Sequence, residues 1–236
     1  MTSPPRVSLV CCGLIGTTIG DGFGQESMVE RAFAEAIATQ GVVSGTSDYA
    51  RCMAQVNRDR GRSTVDVFHS LFPDNPVRAQ AASLAFERSY RESIGRHGLT
   101  ALPGADEAID KLAGSGIKVC LITSLSRDML TLILDAVGWR TRFDLLLAPG
   151  DAPRALPWPD LVITAVLRLG IADVREVAVA SGHENGIRGG LRAGASLTAG
   201  ILTGPHTATR MRNAGATHLV DTFATFPDLL ALPQAP

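Results

Sequence analysis

From residue 98 onward the chain alternates short, continuous apolar runs with helical stretches, and this rhythm narrows its fold more than any other feature. The apolar runs are "IKVCLITS", "FDLLLAPG", "EVAVASG", "LTAGILTG" and "THLVD". Between them stand "PGADEAIDKLAGSG", "SRDMLTLILDAVG", "PWPDLVITAVLRLG", "NGIRGGLRAGA" and "HTATRMRNAGA", each with glycine at or near its stop. A strand that is apolar on both sides must be covered on both sides, and strands that alternate with helices pair in parallel. The expectation is a Rossmann-like α/β core, a parallel sheet between helical layers.

The alternation is interrupted once. An apolar run, Val7 to Cys12, enters a glycine-rich turn from Gly13 to Gly22, and residues 23–97 then show no strong strand pattern. Helices are predicted over Gln25–Thr39, Thr46–Arg58, Ser63–Leu71 and Val77–His97. This block reads as a helical cap (23–97) inserted into a core made of residues 1–22 and 98–236. The tail "LPQAP" is expected to fray.

Composition excludes some classes. The formal net charge is −1, so nucleic acid and anionic membrane are not default partners. Lys111 and Lys118 are the only lysines, which restricts any lysine-dependent mechanism to those two. The four cysteines form no CxxC pair; Cys11, Cys12 and Cys120 read as core residues. The start "MTSPPR" has no leader pattern and no apolar run reaches bilayer length, so a cytoplasmic location is expected. In "GGLRAGA" the GxGxxG spacing is absent, so its glycines read as close helix packing.

A glycine-rich turn at the end of a strand is a common place for chemistry in such folds. Yet no carboxylate, histidine or lysine stands between Cys12 and Thr18. The segments "GTT" (Gly16–Thr18), "GRSTVDVF", "ITSLSRDM", "APGDAPRALPWPDL" and "GILTGPHTATRMRNAGATHLVD" resemble the haloacid dehalogenase superfamily with a helical cap, and within it the phosphonoacetaldehyde hydrolase-like branch. The resemblance implies an aspartate nucleophile where Gly13 stands and an acid/base residue where Ile15 stands. It implies a cation at Leu156, magnesium ligands at Ser181, Gly182 and Gly186, and, in Schiff-base members, a cap lysine at Thr64. All are missing, so the expectation is a metal-free, non-hydrolytic site without a cofactor.

What the resemblance leaves is an anion cradle. It would consist of the turn Gly13, Leu14, Gly16, Thr17 and Thr18, the hydroxyl position Thr123–Ser124, and Arg62 from the cap. "SGHENG" brings His183, Glu184 and Asn185 to the loop that holds metal in the family, and "GDAPR" brings Asp151. Asn185 is taken as a further anion contact; His183, Glu184 and Asp151 are candidates for metal-free acid/base work. Simpler roles stay open, with His183 a loop residue or cap, Glu184 a helix N-terminal carboxylate and Asp151 a turn cap. His206 is expected to open a helix, and His69 and His97 to be structural.

Two functions compete. In the first, the cradle holds a sulfate or phosphate that leaves as an internal amine closes a ring; the chain also resembles the aziridine-forming proteins of azinomycin-type antibiotic pathways. That resemblance implies a small substrate presented on an acidic amino-group carrier protein, met by exposed arginines such as Arg58, Arg60 and Arg62. In the second, the chain is a non-catalytic pseudohydrolase that binds a phosphorylated or sulfated metabolite or a partner protein. A metal-independent lyase on another scaffold would share the first chemistry. A homodimer is left open.

Overall fold

The computed structural model describes residues 6–20, 22–23, 26–230 and 232. Among these, six strands form one parallel sheet: β1 (Leu9–Gly13), β4 (Lys118–Ile122), β5 (Leu145–Leu147), β6 (Val177–Ser181), β7 (Leu197–Ile201) and β8 (His218–Val220). Their spatial order is β5-β4-β1-β6-β7-β8. The chain therefore builds outward from β1 on one side, then crosses back and builds on the other. Ligands in such sheets sit outside the carboxyl ends of the strands where the order reverses, here at β1 and β6.

The two-residue period of β1 sends alternate side chains into different cores. Val10 and Cys12 join the larger cluster, and Leu9 and Cys11 join a second one under α7 (Asp160–Leu169) with Leu161, Val162 and Ala165. Around the sheet run α5 (Ala105–Gly114), α6 (Arg127–Ala136), α8 (Glu184–Ala193) and α9 (Ala208–Asn213). Their ends follow local chemistry. Ser126 caps α6 by accepting from the Met129 amide, and α7 runs from Pro159 to a left-handed Gly170.

Between β1 and β4 lie α1 (Met28–Thr39), α2 (Ser47–Asp59), α3 (Thr64–Leu71) and α4 (Pro76–His97). Ser27, Thr46, Ser63 and Asn75 each accept an amide hydrogen three residues on, which fixes the four starts. Phe33 and Phe86, 4.5 Å apart, and Phe68 and Tyr90 form the aromatic centre of this bundle. The first helix begins at Met28 rather than Gln25; a two-residue antiparallel pair, β2 (Gly22–Phe23) with β3 (Glu26–Ser27), takes up the lead-in. Gln25 itself, and the "LPQAP" tail apart from Leu232, fall outside the described residues. No helix among the described residues is long and apolar enough to cross a membrane.

Candidate functional site

A cavity lies over the carboxyl ends of β1, β4 and β6 and under the inserted helices. The turn contributes Gly13, Leu14 and Ile15, the end of β4 contributes Thr123 and Ser124, and α8's lead-in contributes His183. From the inserted helices come Arg60, Gly61, Arg62 and Thr64. Among the described residues no Asp or Glu lines it, and its charged side chains are the two arginines.

Arg60 was expected at the surface and is instead buried, its side chain only 6% exposed. It ends α2, and its guanidinium donates to Glu30 at 2.6 Å and to Ser27 at 3.2 Å. Arg60 also lines the cavity, so it brings a positive charge, paired with Glu30, to the cavity wall. Local pattern carries little sign of this: the carboxylate partner stands thirty residues away, and the signal beside Arg60 is Gly61. Gly61 has φ +88°, and a β-carbon there would come within 3.0 Å of His183. Arg62 is half-buried and bonds Asp59 and Ser70.

His183 is the N-cap residue of α8 without capping through its side chain. Its Nε2 lies 3.2 Å from the Ile15 carbonyl oxygen. A carbonyl only accepts, so Nε2 carries the hydrogen and Nδ1 keeps its lone pair. Nδ1 is buried and has no hydrogen-bond partner among the described residues. Burial first, then the Arg60 and His206 charges, lower the His183 pKa from 6.5 to about 3. The ring is neutral near pH 7, and its acid form is strongly disfavoured until a neighbouring charge changes.

Thr123 donates its amide to Leu147 and accepts the Leu125 amide on Oγ1 at 3.1 Å, and its hydroxyl hydrogen has no acceptor among the described residues. Ser124 makes no side-chain hydrogen bond among the described residues and lines the cavity beside it. Cys11 and Cys12 also line the cavity. Burial pushes the Cys12 thiol far above its ordinary value, so it is not a nucleophile.

Several expected site residues lie elsewhere. The amides of Gly16, Thr17, Thr18 and Ile19 all bond within the turn, to Ile19 or Leu14 carbonyls, and so do not point at a ligand. Gly16, Thr17 and Thr18 do not line the cavity. Thr17 Oγ1 accepts the Gly182 amide at 2.8 Å, and Thr18 Oγ1 donates to the Gly13 carbonyl. Asn185 is buried and donates to the Arg60 carbonyl at 2.9 Å, tying α8 to the end of α2. Glu184 is buried between Arg210 and Arg188, away from the cavity. Asp151 accepts the Ala148 amide and pairs with Arg127, as a turn cap does. His206 precedes the α9 N-cap, Thr207, and accepts the Glu184 amide at 2.9 Å.

The turn and the neighbouring loops meet backbone to backbone. A β-carbon on Gly182 would strike the Gly16 carbonyl oxygen at 2.1 Å, and one on Gly204 would strike the Gly182 oxygen at 2.1 Å. At Gly186 it would meet Ser181 Oγ at 2.3 Å. The space where side chains at these positions would project is filled.

This is a Rossmann-like parallel α/β architecture with its cavity at the strand ends. The family model for a haloacid dehalogenase-like hydrolase matches residues 17–194, and the chain belongs to that family. Curated relatives include a probable phosphatase, IndB, of Dickeya dadantii, 28% identical over 64% of this chain and 66% of its own. A phosphonoacetaldehyde hydrolase of Bordetella pertussis is 27% identical over 66% of this chain and 73% of its own. The chain spans only 59% and 66% of the first two curated relatives. Among solved structures, a hydrolase from Pseudomonas syringae superposes with TM-score 0.79 at 23% identity, covering 94% of this chain and 97% of that one. A phosphonoacetaldehyde hydrolase-like protein from Oleispira antarctica gives TM-score 0.79 at 20% identity, covering 96% and 92%. At these identities the solved structures bear on the fold alone.

Proposed function

We propose that the cavity binds a sulfate or phosphate ester and promotes departure of that anion without hydrolysis, as an amine of the same substrate closes a ring. The observation that carries this is a cavity that, among the described residues, is lined by two arginines and no carboxylate. The family hydrolytic reaction needs an acidic nucleophile, and the resemblance puts Gly13, the last residue of β1, at that position. The phosphatase and phosphonatase names of the relatives support a tetrahedral oxyanion as the ligand class.

Magnesium, which the family implies, does not fit. No cluster of three or more His, Cys, Asp or Glu forms among the described residues. Carboxylates at Gly182 or Gly186 would have no room, since their β-carbons already collide with Gly16 and Ser181. A divalent cation would also face the two arginines.

The step balances without either group. The substrate nitrogen's lone pair forms a bond to the carbon bearing the ester oxygen. The carbon–oxygen bond breaks, and its electron pair leaves with the sulfate or phosphate. The proton lost from nitrogen goes to His183 Nδ1. Arg60, Thr123 and Ser124 hold the developing charge, the type of contribution whose removal costs about 10²–10³ in rate. The helical insertion, 23–97, acts as the cap over the core, 1–22 and 98–236. The resemblance to aziridine-forming proteins of azinomycin-type pathways supports a three-membered ring and a carrier-bound substrate, with exposed Arg58 facing the acidic carrier.

The weak basicity of His183 favours a second reading, in which the chain binds its anion without turning it over. One assay decides: mass spectrometry of a carrier-bound, sulfated amine incubated with the protein. Loss of sulfate with retention of the amine in a new ring is expected. Tight binding of the intact ester with no sulfate release establishes the second reading instead, and release of the free alcohol overturns both.

A further inference from the structure

The cavity does not end at the anion site. It continues between the sheet and α7, where Cys11, Ile122, Leu156, Val162 and Val179 line it. These five belong to the second hydrophobic cluster, and none is more than 9% exposed. Cys11 and Gly13 share one face of β1, and both line the cavity. Leu156 forms one wall; its Cδ2 rests where a β-carbon on Gly189 would stand, at 2.7 Å, so a glycine of α8 holds that wall in place. Apart from the buried Cys11 thiol, these five side chains offer no hydrogen-bond donor or charge. Apolar cavities of this kind stay dry and take apolar ligands.

We propose that this extension is the subsite for the aliphatic stem of the ester whose anion sits at Arg60 and Thr123. This deepens the reading given above and depends on it for the position of the anion. The substrate class is then an alkyl sulfate or phosphate with a buried hydrocarbon segment. A sugar or nucleoside ester is excluded, because its hydroxyls would be buried without partners. The opposite wall, on the inserted helices, carries Val29 and Val67 and would cover the part of the substrate nearer the mouth.

Calorimetry with inorganic, methyl, ethyl and butyl sulfate tests this on the intact chain. Affinity is expected to rise about fourfold for each added methylene, the equivalent of ~0.8 kcal/mol per buried CH₂. Val162→Phe should remove that gain and leave methyl sulfate binding within about twofold. Because a core substitution can unfold the chain, methyl-labelled NMR of the unaltered protein gives an independent readout. Butyl sulfate should shift the Leu156, Val162 and Val179 methyls. Affinity independent of chain length, or shifts confined to Val29 and Val67, overturns the subsite while leaving the anion reading in place. If no sulfate binds but 1-butanol shifts the three deep methyls, the subsite stands and the anion reading fails. If neither probe registers, both fail.

Discussion

The Thr17 hydroxyl accepts the Gly182 amide at 2.8 Å, and the same oxygen stands 2.5 Å from where a β-carbon on Gly13 would be. The end of β1 is therefore closed to any side chain by a group that itself satisfies a buried amide. Restoring an acidic residue with Gly13→Asp is expected to destabilise the fold by about 1–3 kcal/mol through overpacking. It should also weaken sulfate binding by adding a negative charge to the cavity, and it should give no ester hydrolysis. Urea unfolding and calorimetry check the first two. The steric cause is separable: in a Thr17→Ala background the penalty of Gly13→Ala should shrink, and strict additivity would contradict the contact.

Two buried histidines give the fold a defined acid sensitivity. His183 is lowered from 6.5 to about 3, chiefly by burial and then by Arg60; His206 is lowered to about 4, chiefly by burial and then by Arg210. Below pH 6.5 the unfolded chain binds a proton at each position that the folded chain refuses. Stability is thus fully present above about pH 6.5 and is lost as pH falls toward 4. The slope is at most about 1.4 kcal/mol per pH unit for each histidine. Denaturant midpoints between pH 7 and 4 measure it. The His183→Gln, His206→Gln double variant should flatten the slope, whatever its stability at pH 7.

Arg60 should dominate anion affinity. Arg60→Gln removes a charge-assisted contact of about 1.5–3 kcal/mol, a loss on the order of tenfold or more in sulfate affinity. Arg62, half-exposed and bonded to Asp59, should matter less when replaced in the same way. A second readout separates charge from packing. Arg60 is one cause of the low His183 pKa, so its removal should raise that pKa, followed by NMR of the imidazole. An unmoved His183 titration would place the guanidinium elsewhere.

The fold was more legible in the sequence than the site. Uninterrupted runs such as "IKVCLITS", short and alternating with helical stretches, read as strands covered on both faces, and caps such as Ser63 and Ser126 fix helix starts within a residue or two. Leu14, Thr123, Ser124, Arg62 and His183 do meet at one cavity, because they lie at strand ends or on the segment over them. Thr17 and Thr18 could not be placed by pattern: a threonine in a turn serves a ligand or the turn itself, and here the amides close on Leu14 and Ile19. Arg60 was missed for the converse reason. Its burial depends on Glu30 and Ser27, contacts that no local spacing encodes.

Three residues were candidates for the base, and their surroundings now divide them. His183 alone lines the cavity, with a bare Nδ1 beside Arg60 and Gly61. Its low pKa makes it a weak base in the free protein, but an anion bound at Arg60 would offset the charge that helps lower it. Its pKa is therefore expected to rise when sulfate is bound, which NMR titration with and without sulfate measures. His183→Gln keeps polarity and removes the base, so release of sulfate from the sulfated amine should slow by about 10²–10⁴. Glu184→Gln should act on stability instead. It leaves Arg188 and Arg210 without their carboxylate, a loss on the order of 1–2 kcal/mol because water reaches both arginines. Asp151→Asn should leave turnover within a few-fold, since that carboxylate caps a turn and pairs with Arg127 outside the cavity. Rates measured at saturating substrate, alongside unfolding midpoints for all three, separate proton transfer from loss of fold. Wild-type turnover in His183→Gln would remove the histidine from the chemistry, and a collapse in Asp151→Asn without loss of stability would transfer the role to the aspartate.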